Sequence, residues 1–197
     1  MAKDRKDNSL FEALCANGLI VLEEERTIYI NGPITSTMSA FFNLALLKME
    51  HTEPGRDITV YINSPGGEVT AGLSMIDTMD TISCDICTVC VGQAASMGAV
   101  ILMCGTKGKR KILPHSCVLI HQILAGLGDG LKQASDIEIF ASNVTRRKKD
   151  MTELIASRTG QSVEKVGKDC ERDYSLSSTE AVEYGIVDAV VGDHKEK

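Results

Sequence analysis

Residues 86–106 read ICTVCVGQAASMGAVILMCGT, a run of 21 positions with no charged side chain. Its length alone would cross a bilayer, yet its texture changes midway. ICTVCVG (86–92) is β-branched and strand-like, QAASMGAVILMC (93–104) is rich in small residues and helix-like, and Gly92-Gln93 stands between them. Gln93 and Ser96 would be costly in lipid without polar partners. The segment therefore reads as a buried strand ending at Gly92 that runs into a buried helix, and no membrane partner is expected.

The flanking sequence repeats that alternation. On the N-terminal side, Thr27–Ile30 is a strand ended by Asn31-Gly32-Pro33. Ser36 or Thr37 caps a helix through FFNLALLKMEH, which Pro54-Gly55 stops. Asp57–Ile62 is a second strand, followed by the loop Asn63-Ser64-Pro65-Gly66-Gly67, and Thr70–Thr81 is a helix with Ile76 and Met79 on one face. On the C-terminal side, GTKGKRKILP is a turn and short strand, CVLIHQ a buried strand, and Gly126 to Gly130 a flexible excursion. Asp136–Arg158 is the longest helix, with Ile137, Phe140, Val144, Met151, Leu154 and Ile155 at helical spacing and Gly160 as its stop. Strands alternating with helices imply an α/β fold built from strand–helix units. Residues 1–18 are polar, with a short amphipathic piece from Leu10 to Leu14, and read as a mobile arm or a segment that orders on assembly. Internal repeats and low-complexity segments are absent from the sequence.

Composition narrows the functional classes. The chain has 197 residues, 43% hydrophobic and 24% charged, which suits one globular domain with its own core. A net charge of −6 and only eight aromatic residues, four Tyr and four Phe, argue against nucleic acid as a partner. The start, MAKDRKDNSL, is charged and has no apolar stretch, so it does not read as a secretory signal. Seven cysteines fit a reducing compartment, and a cytoplasmic location is expected. Cys84, Cys87 and Cys90 have the spacing of some metal sites. Two of them lie an odd number of residues apart on one strand, which sends them to opposite faces, so no metal is expected.

Ala94-Ala95-Ser96-Met97-Gly98 places a serine between small residues at the strand-to-helix junction. A nucleophilic serine needs that sharp turn and small neighbours, while a serine that merely caps a buried helix satisfies the same pattern. His121 closes the apolar run CVLI, either as a placed general base or as a satisfied core histidine. Asp173, in ERDYS, is either the acid that orients a histidine or the partner of Arg172 in a surface ion pair. Gly66-Gly67 lets a backbone approach a ligand closely and lacks the Lys and Ser/Thr of a phosphate loop. The cluster Arg146-Arg147-Lys148-Lys149, with Glu138, Asp150 and Glu153 nearby, reads as a solvated or subunit-facing band.

Four separated stretches, YINSPGGEVTAGLSMIDTM, VGQAASMGAVILMCGTKGKR, LPHSCVLIHQ and TGQSVEKVGKDCERDYSLSSTEAVEYGIVD, in that order, closely resemble the proteolytic subunit family of the Clp protease (ClpP) over roughly residues 26–191. The resemblance implies a superhelix of strand–helix units related to the crotonases, with a protruding handle (about 122–159: the long helix and a strand before it). It divides the chain into an axial segment (1–20) and a single peptidase domain (21–197). It implies Ser96 as nucleophile, His121 as general base and Asp173 as its orienting acid, with the backbone N–H groups of Gly67 and Met97 as the oxyanion hole. Seven subunits would form a ring and two rings a tetradecameric chamber, with Arg172 pairing Gln133 and Asp136 of the opposite handle. Unfolded proteins would be delivered by a hexameric AAA+ Clp ATPase, which uses the ATP. This chain itself would need no cofactor.

Several positions depart from the family pattern. Ile123 stands where proline usually follows the histidine-glutamine pair, and the loop between His121 and Asp136 is about three residues longer than usual. The N-terminal pattern is not recognisable in residues 1–20. Thr59 and Thr81 replace aromatics of the groove where the ATPase docks, although Tyr61 is kept. These departures point to a divergent paralogue, assembling either with itself or with a second ClpP type. They also keep open a weakly active or non-catalytic ring partner. A crotonase-like acyl-CoA enzyme is a third reading, against which the complete Ser/His/Asp set argues.

Overall fold

The computed structural model describes residues 18–192. The amphipathic piece 10–14 lies outside them. In chain order the elements are β1 (Leu19–Leu22), β2 (Thr27–Asn31), α1 (Ser36–Thr52), β3 (Ile58–Ser64), α2 (Val69–Thr81), β4 (Ile86–Ala95) and α3 (Met97–Met103). They continue with β5 (Arg110–Ile112), β6 (Cys117–Ile120), α4 (Ala134–Thr159), α5 (Val163–Asp169), β7 (Tyr174–Ser177), α6 (Ser178–Tyr184) and β8 (Ala189–Val190). The expected α/β architecture of strand–helix units with a projecting helix is what forms. Among the described residues no helix is long and apolar enough to cross a membrane.

One sheet carries the core. Its order is β1-β2-β3-β4-β5-β8, with β6 on β4 and β7 on β6. Pairing is parallel from β2 through β5 to β8 and antiparallel at β1/β2 and β6/β7. In β3, Ile58, Val60, Ile62 and Ser64 are buried on one face. The helix α1 turns Met38, Phe42, Leu46 and Met49 inward at helical spacing. Its cap is Thr35, not Ser36 or Thr37: the Thr35 hydroxyl accepts from the Met38 N–H at 3.1 Å. Thr35 has the extended backbone a cap requires, whereas both later residues have already entered the helix.

Two features position the site. First, β4 does not stop at Gly92 as the texture suggested but runs on to Ala95, changing neighbours as it goes. Thr88–Cys90 pair with β5, and Gln93–Ala95 pair with β6. Between Ile62↔Cys90 and Ser64↔Ala94, β3 advances two residues while β4 advances four. The excess is taken up in a bulge around Gly92, whose φ is +80°. Ser116 holds the bulge: its hydroxyl accepts from the Gly92 N–H at 2.8 Å and donates to the Cys90 carbonyl at 3.3 Å.

Second, α4 leaves the body. Of its 26 residues only Ile155 and Ala156 are buried, both near its C-terminal end, and Gly160 closes it in the left-handed conformation. The strand expected before it is not formed: residues 121–133 have no regular pairing. Within one chain β6 already has β4 and β7 on its two edges, and glycines at 126, 128 and 130 interrupt the segment.

Candidate active site

Ser96 sits at the junction of β4 and α3 with φ +53° and ψ −124°, a left-handed conformation rare for any residue but glycine. Such a residue costs of order 1–3 kcal/mol and persists only where its surroundings hold it. Here the Ser96 N–H donates to the Leu119 carbonyl at 2.8 Å, and its own carbonyl accepts from Ala99 and Val100 at 3.0 and 3.2 Å. The hydroxyl makes no capping bond, so the reading of Ser96 as a simple helix cap is not what forms.

Small neighbours are a steric requirement of this turn. A Cβ on Gly66 would stand 2.6 Å from the Ser96 Cβ, and one on Gly98 would stand 3.2 Å from the Ser64 Cβ. Gly67 is tighter still. At φ +154° its Cβ would lie 2.1 Å from the Ile34 carbonyl oxygen, because the loop bridges Ile34 through Ile34 N–H to Gly66 O and Glu68 N–H to Ile34 O. Among the described residues the Gly67 N–H has no acceptor. The Met97 nitrogen lies 3.1 Å from where a Gly66 Cβ would be, so the glycine loop packs closely on the start of α3.

His121 follows the last residue of β6. Parallel pairing sets Ala95 beside Leu119, which carries Ser96 to the neighbourhood of Ile120 and His121. Ser96, His121, Gly67 and Met97 line one cavity of about 250 Å³. Its remaining walls are mostly apolar: Val69, Val100, Ile120, Ile123, Met151 and Ile155. Antiparallel pairing of Ile120 with Tyr174 puts Asp173 across from His121, one step beyond the ladder. Asp173 is exposed and does not line the cavity.

The three side chains are not hydrogen-bonded to one another in this chain. His121 Nδ1 instead lies 2.5 Å from the Gln122 carbonyl oxygen. A carbonyl only accepts, so a proton on Nδ1 satisfies this contact. Gln122 Nε2 in turn donates to the Glu171 carbonyl at 3.0 Å. Lys148 of α4 donates to the Glu171 carboxylate at 2.8 Å and holds that carboxyl below its ordinary range. The ion pair expected between Asp173 and Arg172 is not among those formed: the neighbouring acid, Glu171, reaches Lys148 instead. Gln133 and Asp136 open α4, where the Gln133 carbonyl accepts from the Asp136 N–H at 3.1 Å. Neither is bonded to Arg172 within the chain.

The departures from the family pattern fall in distinct places. Ile123 is a wall of the Ser96 cavity. Thr59 and Tyr61 lie on β3, where Tyr61 stacks on Tyr29 with ring centroids 6.0 Å apart. Thr81, at the end of α2, turns its hydroxyl back to the Asp77 carbonyl. Cys84 and Cys90 are buried, and burial pushes the Cys90 thiol up to about 12. Among the described residues no three His, Cys, Asp or Glu side chains gather as a metal group would. The sequence did not single out Val69, Met151 or Ile155 as site residues, although the last two carried a signal. They stand four apart on the apolar face of the long helix, a spacing that fits a cavity wall as well as a core contact.

A strained serine with an unspent hydroxyl, an imidazole in the same cavity and the backbone of Gly67 and Met97 in its wall can support acyl transfer. The Clp protease family model matches residues 13–194. The chain belongs to that family, and its class is therefore that of a peptidase.

Proposed function

We propose that the chain is a serine endopeptidase that hydrolyses peptide bonds of unfolded proteins. The observation that carries this is Ser96: left-handed, its hydroxyl unspent, in one cavity with His121. His121 Nε2 takes the Ser96 proton as Oγ attacks the peptide carbonyl, then gives it to the leaving amine. The oxyanion rests on the N–H groups of Gly67 and Met97, where one such donor lowers the barrier by about 3–4 kcal/mol. The acyl-enzyme is then hydrolysed by water through the same base. Asp173, opposite His121 in the β6/β7 register, receives the Nδ1–H once the imidazole turns from the Gln122 carbonyl, and the tautomer is preserved in that turn.

Family membership supports an oligomeric chamber fed by a Clp ATPase. In this reading heptameric rings stack as a tetradecamer in the cytoplasm, alone or mixed with a second subunit type. The hexameric ATPase spends the ATP, and the chain carries no cofactor or metal. A second reading, a ring partner with little activity of its own, is favoured by the His121 contact with Gln122 in place of Asp173.

Native mass spectrometry after fluorophosphonate treatment, beside Ser96→Ala, tests the proposal. A ring-sized mass with one adduct per subunit, absent from the variant, is the expected result. An unlabelled ring would favour the inactive partner, and an unlabelled monomer would mean that the site needs a second chain.

A further inference from the structure

The cavity at Ser96 continues along the projecting helix. A second cavity of about 580 Å³ shares Val69, Ile123 and Leu124 with it and runs beside Phe140, Arg146 and Arg147 of α4. The basic run on α4 is not uniform. Lys148 is paired with Glu171 at 2.8 Å and Lys149 with Glu153 at 3.8 Å. Arg146 donates only to the Asn143 side-chain oxygen, at 3.3 Å. Among the described residues neither Arg146 nor Arg147 has an acidic partner. The opposite wall carries one carboxylate, Glu68, which flanks the start of α2, where the helix dipole offsets part of its charge. Two guanidinium groups therefore face one partly compensated carboxylate, and the cavity is net cationic.

We propose that Arg147, with Arg146, forms a subsite for an acidic side chain of the peptide substrate and so sets part of the enzyme's specificity. This rests on the serine-peptidase reading and deepens it. The spacing fixes which residue is read. Met151 lines the first cavity and Arg147 the second, one helical turn or about 6 Å apart. An extended peptide advances about 3.4 Å per residue and turns alternate side chains to one face. The acidic residue therefore stands two positions from the side chain that fills the Ser96 cavity. A solvent-facing guanidinium–carboxylate pair of this kind changes rates by about two- to five-fold and is screened by salt.

The test uses the assembled protein and internally quenched peptides with a single leucine among neutral residues. Asp, Asn or Lys is placed at each of several positions on either side. The expected result is a two- to five-fold higher kcat/KM for Asp than for Asn two positions from the leucine, with Lys below both. That preference should shrink as salt is raised, and Arg147→Glu should reverse the Asp/Lys order at that position alone. An unchanged order in both Arg147→Glu and Arg147→Gln, each verified as assembled and labelled at Ser96 by fluorophosphonate, would overturn the subsite while leaving the peptidase intact. Hydrolysis no faster than by Ser96→Ala on every peptide would instead remove the peptidase reading, and the subsite with it.

Discussion

Gly67 is the residue whose side chain matters most by being absent. Its φ of +154° lies where L side chains are strained, and a Cβ there would run into the Ile34 carbonyl at 2.1 Å. Since that contact is with backbone, no rotamer can relieve it, and the loop itself must shift. A shift moves the N–H that the proposed mechanism needs. Gly67→Ala should therefore lower kcat by about 10²- to 10³-fold, the usual cost of losing an oxyanion donor, with a much smaller change in KM. Peptide hydrolysis at saturating and limiting substrate measures both, and an equal rise in KM would point to a binding loss instead. Ser96 poses the complementary case: its positive φ is tolerated because Leu119, Ala99 and Val100 all bond its backbone. That bonding leaves the hydroxyl free for chemistry.

Between elements, the end of α1 is tied to the segment before β4 by one carboxylate. Glu50 accepts from the Ser83 hydroxyl at 2.6 Å and from the Cys84 N–H at 3.1 Å. Hydrogen bonds from Cys84 and Ser83 hold its carboxyl down to about 2, against an ordinary 4.5. A lowered folded-state pKa means that the stabilisation is complete above about 4.5 and is lost as pH falls toward about 2. Glu50→Gln should lower Tm at neutral pH, and the gap to wild type should close across that acid window. Melting curves from pH 7 downward check this, and a gap independent of pH would show that charge is not the cause. The same scale explains what the sequence could disclose. Period-two burial in β3 and helical spacing in α1 and α4 are local patterns, so those elements were legible. The bulge at Gly92 was not, because an offset of two residues between β3 and β4 exists only once the strands are paired. For that reason the sequence texture ends β4 at Gly92, three residues before Ala95. Asp173 could be matched to His121 only by resemblance, since the register that sets them opposite each other belongs to β6 and β7 together.

For the whole molecule, the question is what covers α4. At 1.5 Å per residue its 26 residues extend about 39 Å. Only its C-terminal end packs on the body, while Ile137 and Ile139 near the start are 48% and 61% exposed, and Leu131 just before them is fully exposed. Apolar side chains exposed around the tip of a projecting helix are costly in water unless a second surface buries them. The unpaired segment 121–133 beside it offers backbone donors and acceptors to the same surface. A second copy approaching tip to tip would satisfy both, and family membership agrees with oligomeric assembly in general. Because Lys148 links α4 through Glu171 to Gln122, and Gln122 to the Nδ1 contact of His121, covering the tip would also bear on the base. If the proposed rings stack through this tip, Ile137→Asp with Ile139→Asp should halve the native mass, separating two stacked rings into one. It should slow hydrolysis by about ten-fold or more while leaving the fold intact by circular dichroism. Native mass spectrometry and peptide turnover on the same sample decide it: an undivided assembly would place the contact between rings elsewhere, and a single ring with full turnover would separate assembly from the alignment of His121.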